Sequence, residues 1–173
     1  MDKGNMKLYF GCGTHRVEGF IGIDKINAPQ VDIVHDMNVY PYPFADDTVE
    51  EVLLMNILEH FPDTIKVMEE IWRICRNGAI VRIVVPYYNS PGAYQDPTHK
   101  SFFTENTFDY FTEAGITPLS HYNYYSSARF KILSIIPDQR AVFNVLPTRI
   151  QWLLAHHLAT VHSLKFELEV TKK

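Results

Sequence analysis

Cysteine is almost missing from this 173-residue chain; only Cys12 and Cys75 occur. Two cysteines make no disulfide framework and offer no metal-ligand spacing, so reduced thiols and a cytoplasmic setting are expected. No run of lysine and arginine is present, and a formal charge of −4 gives no electrostatic basis for a nucleic-acid partner. No apolar stretch approaches membrane-spanning length, and the first residues lack the apolar centre of a signal peptide. A membrane partner is therefore not expected. Internal repeats, low-complexity tracts and linkers are missing as well. What remains is 46% hydrophobic and 21% charged, the composition of a globular protein. The length suits one real core and is too short for two, so a single domain over 1–173 is expected.

The short run Lys7-Leu8-Tyr9-Phe10 stops at Gly11-Cys12-Gly13. Such a run reads as a strand covered on both faces, with glycines that let the backbone turn and approach a ligand closely. Further apolar runs follow at Phe20–Ile23, ending in Asp24, and at Val31–His35, ending in Asp36. A proline-punctuated turn at 40–47 leads to Glu51–Met55, which closes on Asn56. Residues 63–76 put Ile65, Met68, Ile71, Trp72 and Cys75 at helical spacing, with Asn77-Gly78 as the stop signal. Ala79–Val85 is a fifth strand, stopped by Pro86. A short helix is expected over Glu105–Glu113, strands over Phe130–Ile136 and Ser163–Val170, and a helical face between them from Ile150 to Leu158. Polar residues gathered at strand carboxyl ends are what a ligand-binding α/β sheet needs.

The glycine stretch Leu8-Tyr9-Phe10-Gly11-Cys12-Gly13 resembles the motif of class I S-adenosylmethionine-dependent methyltransferases. Asp24 falls where that family ends its second strand in an acidic residue, and Asp36-Met37-Asn38 is similar to its adenine-contacting segment. Pro43-Phe44-Ala45-Asp46-Asp47, Asn56-Ile57-Leu58-Glu59-His60 and Arg73-Ile74-Cys75-Arg76-Asn77-Gly78 match its later signatures. The resemblance covers about residues 6–113. It implies a Rossmann-like three-layer α/β sandwich, a seven-stranded mostly parallel sheet with the last strand antiparallel, in the order 3-2-1-4-5-7-6. It also implies methyl transfer from S-adenosylmethionine, held by Gly11, Cys12, Gly13, Asp24, Lys25, Asp36, Met37 and Asn56. Asp24 is suited to the ribose hydroxyls, while a solvated turn is its plainer reading. Asp36 suits either the adenine amino group or a helix cap. Glu59 and His60 read as supports of the local turn, and no metal site is assigned. A non-catalytic cofactor-binding module and a nicotinamide-dependent oxidoreductase are the rival readings. The second is disfavoured because Gly11-Cys12-Gly13-Thr14-His15-Arg16 has no third glycine in place.

One departure from the family is plain. Only Thr14–Gly19 separates the glycine motif from the second strand, where a parallel crossover ordinarily takes a dozen residues or more. The site is accordingly expected to be more open than usual, or covered by a partner subunit. The loops after the fifth strand, 87–100 and 121–125, are left to a small or carbohydrate-like methyl acceptor. His99 is the candidate catalytic residue there, with Tyr87, Tyr94, Asp96 and Tyr124 as candidate substrate contacts; bracing of the loop is the alternative for His99. The apolar residues Ile150, Trp152, Leu153, Leu154 and Leu158 are expected to pack on the sheet or against a second subunit, with a homodimer favoured.

Overall fold

The computed structural model describes residues 6–113, 115–139 and 145–172; the polar lead-in at 1–5 lies outside them. Seven strands form one sheet: β1 (Met6–Phe10), β2 (Ile21–Asp24), β3 (Ile33–Val34), β4 (Val49–Met55), β5 (Cys75–Pro86), β6 (Phe130–Gln139) and β7 (Val161–Val170). Their order is β3-β2-β1-β4-β5-β7-β6. All pairs from β3 to β5 are parallel, and β7 runs antiparallel to both β5 and β6. This is the strand order that the family resemblance implies.

The core lies on one face of the sheet. Leu8, Val52, Val81 and Leu168 are in register across the central strands, and each is fully buried. Val67, Met68 and Ile71 of helix α1 (Thr64–Ile74) join the same cluster, as do Phe108, Phe111 and Ala155. Burying each such side chain contributes about 1.5–3 kcal/mol. The register one residue along carries Tyr9, Leu53, Arg82 and Glu167 on the opposite face. There, Glu51 pairs with Lys7 at 2.8 Å and with Arg82, and Arg82 reaches Glu167 at 3.1 Å. Among the described residues no helix stands between β1 and β2 or between β2 and β3. The third layer expected of the sandwich is thus reduced to loops, and charged residues at alternate strand positions keep that face compatible with water.

Helix α1 starts at Asp63, whose carboxylate accepts from the Lys66 amide at 2.9 Å. It stops at Ile74, ahead of the Asn77-Gly78 signal, because Cys75 is already extended and pairs with Val49. Gly78, with φ +77, instead sits in a bulge where the β4–β5 register shifts. The helix expected over 105–113 is a 3-10 helix, Thr107–Phe111. Phe108 and Phe111, three apart, both point into the core, which matches the 3-10 period. A second 3-10 helix covers Ser120–Tyr125. A four-residue helix α2 (Pro91–Tyr94) follows β5, and α3 (Thr148–Leu158) precedes β7.

Arg73 pins the 42–46 turn to α1. Its guanidinium donates to the Tyr42 carbonyl at 3.0 Å, the Phe44 carbonyl at 3.0 Å and the Asp46 carboxylate at 2.5 Å. Glu70 accepts from the same guanidinium at 2.9 Å and from the Tyr42 amide at 2.8 Å; the Arg73 partner is the main reason its carboxyl is held below the usual range. Arg73→Ala is expected to lower stability by about 2–3 kcal/mol, since several charge-assisted bonds are lost together. Arg73→Lys should recover only part of this, because an ammonium lacks the guanidinium's fork. Urea unfolding of the three proteins checks the order.

Candidate functional site

The carboxyl ends of β1, β2 and β4 meet along one edge. The first turn after β1 has Gly11 at φ +68 and Gly13 at φ +54. A Cβ placed on Gly11 would lie 2.5 Å from Cγ1 of Ile57, so the turn after β4 presses directly on the glycine loop. The Gly11 and Cys12 amides both donate to the Ile23 carbonyl, at 2.8 and 3.2 Å. Asp24 reaches back from the end of β2 and accepts from the Gly13 amide at 2.8 Å and the Ile26 amide at 3.2 Å. It therefore braces the glycine loop, and its half-exposed carboxylate keeps further lone pairs for a ligand. Asp36 accepts from the amide and the side chain of Asn38, at 2.9 and 2.8 Å, and these bonds hold its carboxyl below the usual range. Asn56 stands at the end of β4 with φ +50.

Three residues assigned to the cofactor contribute differently from a side-chain contact. Met37 is buried in the core, and its carbonyl accepts from the Tyr42 hydroxyl at 3.1 Å. Cys12 is buried against Gly22, with its thiol pushed up chiefly by burial, so it is not an activated nucleophile. Lys25 is exposed, and among the described residues no hydrogen bond or ion pair orients it.

A cavity of about 400 Å³ adjoins Asn56, lined also by Glu59, His60, Gln95, Asp96 and His99. It exists because the loop after β5 is stitched to the short 3-10 helix Leu58–His60 after β4. The Glu59 carbonyl accepts from the Lys100 and Ser101 amides, at 2.8 and 3.1 Å, and Ser101 Oγ donates to the Phe61 carbonyl at 2.6 Å. Inside, His99 Nε2 lies 4.0 Å from Glu59 Oε1 and 3.9 Å from Asp96 Oδ2. The rings of His60 and His99 meet edge to face at 4.8 Å. Burial pushes the Glu59 carboxyl up to about 7, and burial followed by the neighbouring His99 lowers the His60 imidazole.

His99 and Asp96 both line this cavity, but the tyrosines assigned beside them do not. Tyr87 is fully buried, and its hydroxyl lies 3.1 Å from Glu105 Oε2 and 3.2 Å from His156 Nδ1, which docks α3 onto the end of β5. Tyr94 is exposed and stacks on Phe102 outside the cavity lining. Tyr124 belongs to the 3-10 helix that precedes β6, on the side where that strand begins, and lies beside Tyr122 and Tyr125. Its chain neighbourhood is tied to α1 through Ser126 and Glu69, at 2.9 Å. Glu59 and His60, read from the sequence as turn supports, also line the cavity. Their adjacency to His99 had no local signal, since about forty residues separate them.

Comparison with known proteins agrees with this fold. Residues 8–83 match the family model of the methyltransferase domain. No curated protein matches the sequence. A methyltransferase from Archaeoglobus fulgidus, described as SAM-dependent, superposes with a TM-score of 0.60 at 16% identity, over 96% of this chain and 87% of its own. A SAM-dependent methyltransferase from Methanosarcina mazei gives 0.60 at 13% identity, over 100% and 95%. The cyclase SpnF gives 0.61 at 12% identity, over 100% and 77%. At such identities the likeness is one of fold, and the cyclase among them is a reminder that fold alone does not name a reaction.

The two glycines of the first turn are separable by substitution. Gly11→Ala meets both the left-handed backbone and the Ile57 side chain, and should cost about 2–4 kcal/mol. Gly13→Ala has open space around it and should cost only the backbone share, about 1–2 kcal/mol. Thermal unfolding of both variants checks the ranking.

Proposed function

We propose that this chain transfers a methyl group from S-adenosylmethionine to a small or carbohydrate-like acceptor, a reading supported by the match of residues 8–83 to a methyltransferase-domain model and by the sheet order. The observation that carries the reading is the edge of the sheet where Gly11, Asp24 and Asn56 end or follow parallel neighbouring strands, with Asp36 after β3, next to a polar cavity that Asn56 also lines. The cofactor would lie along the edge, with its ribose at Asp24, its adenine near Asp36 and its methionine part towards Asn56. The Met37 contribution would come from its backbone. The acceptor would enter the cavity of Glu59, Asp96 and His99, whose polar walls suit a hydroxyl-bearing or carbohydrate-like molecule.

Methyl transfer by in-line attack needs alignment above all, and proximity supplies many kcal/mol of it. In this reading His99 orients the acceptor nucleophile and takes its proton if it carries one. Buried free thiols at Cys12 and Cys75 fit a cytoplasmic setting. No helix among the described residues is long and apolar enough to cross a membrane. Ile150, Leu153 and Leu158 remain exposed on α3 although Trp152 and Ala155 pack inward. A homodimer through that face belongs to the same reading, and light scattering at micromolar concentration should show the doubled mass.

A binding module without turnover is the second reading, favoured by the short crossover between β1 and β2, which has no helix. Titration calorimetry with S-adenosylmethionine, followed by turnover on an acceptor panel, separates the two. Asp24→Ala is expected to weaken cofactor binding by about 1–3 kcal/mol; unchanged affinity would remove Asp24 from the site. His99→Ala is expected to lower turnover by roughly 10²–10⁴-fold with cofactor affinity nearly kept. Joint loss of thermal stability and affinity would instead mark His99 as a brace of the loop.

A further inference from the structure

The cavity beside Asn56 holds a donor set that neither cofactor binding nor loop bracing requires. One donor atom each from Glu59, His60 and His99 lies within 4.8 Å of the others, and among the described residues this is the one such trio. Glu59 is 1% exposed, and among the described residues its Oε2 has no hydrogen-bond partner. A buried carboxylate oxygen left without a donor costs about 1–3 kcal/mol or more, unless a cation answers it. We propose that Glu59, His60 and His99 bind a divalent first-row transition ion, with zinc as the fitting member.

The hydrogen bonds behind the trio support ligation. His99 Nδ1 lies 3.1 Å from the Ala93 carbonyl. A carbonyl only accepts, so that nitrogen carries the proton, and in the neutral imidazole Nε2 keeps its lone pair. That lone pair stands about 4 Å from two carboxylates, Glu59 and Asp96, neither of which can donate to it when ionised. Thr98 Oγ1 donates to Asp96 Oδ1 at 2.7 Å and lies 2.9 Å from His60 Nδ1. With its own proton committed to Asp96, Thr98 accepts from His60 Nδ1, and His60 Nε2 is left unprotonated. Each imidazole is therefore fixed in one tautomer by an outer partner, as metal-bound histidines are. Two neutral imidazoles and a carboxylate suit zinc, manganese-like and iron(II) ions better than magnesium, which prefers oxygen donors.

Zinc bonds of roughly 2 Å put neighbouring donors roughly 3.3 Å apart, so the side chains close by about 1 Å on binding. Three protein ligands leave a fourth position open to the cavity. There an oxygen donor of a small molecule would be held, in the place the methyl acceptor occupies in the reading above; with the ion bound, His99 Nε2 is a ligand, and the proton-accepting role given to it there passes to another group or to solvent. The ion site itself does not depend on that reading, and its test reads metal rather than turnover.

The test uses the full chain stripped with a chelator, then titrated with zinc against a competing chromophoric chelator, and with cobalt(II) for its visible absorption. One ion per chain is expected, with a cobalt spectrum of low coordination number and a raised unfolding temperature; magnesium should give no shift. Glu59→Gln, His60→Ala and His99→Ala should each weaken zinc by more than the roughly 10–100-fold that loss of an outer partner costs. Thr98→Val should fall near that lower range, and His157→Ala, on exposed α3, should match the parent. Circular dichroism confirms that each variant is folded; if Glu59→Gln unfolds, the half-exposed His60 carries the test. Zinc affinity that is unmoved by His60→Ala and His99→Ala overturns the proposal, as does the loss of the ion in His157→Ala or no binding below millimolar zinc. Failure of S-adenosylmethionine to bind would leave all these outcomes readable.

Discussion

A sheet that is sealed on one face must find its whole core there. The short crossovers after β1 and β2 leave no helix to cover the other face among the described residues. α1, the Phe108–Phe111 turn and the inner side of α3 therefore crowd onto the same side. The open face survives in water because Lys7, Glu51, Arg82 and Glu167 alternate with buried neighbours. Such exposed pairs add little stability individually. Their use is to make burial of the wrong face expensive, which fixes the register of the central strands.

The same economy shapes the site. Without a long first helix, the glycine loop is held by what lies at its flanks: the Ile23 carbonyl below, the Asp24 carboxylate beside Gly13, and Ile57 against Gly11. One carboxylate thus does a structural job that a full crossover would share with a helix. The turn after β4 has two duties, since Ile57 backs the glycine loop while Glu59 anchors the loop after β5 through its carbonyl. A shift in that turn is transmitted to both the cofactor edge and the cavity.

Much of this was legible in the residues because it is local. Strand runs, the glycine pair, the acidic strand ends and the amphipathic α1 all follow from short-range pattern, and the family resemblance orders the sheet. The one-sided covering was not read from the sequence, whose apolar runs suggested strands buried on both faces; the structure shows it in the charged residues Glu51, Arg82, Lys165 and Glu167 of the central strands. The end of α1 was misplaced by the strong Asn77-Gly78 signal, because pairing of Cys75 with Val49 outcompeted the helix. Tyr87 looked like a pocket wall from its loop position, but burying its ring and satisfying its hydroxyl with Glu105 and His156 is worth more in the core.

Sequence by itself determined the fold class, the strand ends that carry polar groups, and the neighbourhood of Asp96 with His99 three residues on. Only the tertiary structure decided that Glu59 and His60 stand beside His99. Two backbone amides, Lys100 and Ser101, give their protons to one carbonyl some forty residues earlier. That bond draws no mark on either local pattern, because any residue's backbone can make it. The side chains it brings together then acquire a chemistry that neither segment has alone: a buried carboxylate oxygen without a donor, and two imidazoles with their lone pairs free.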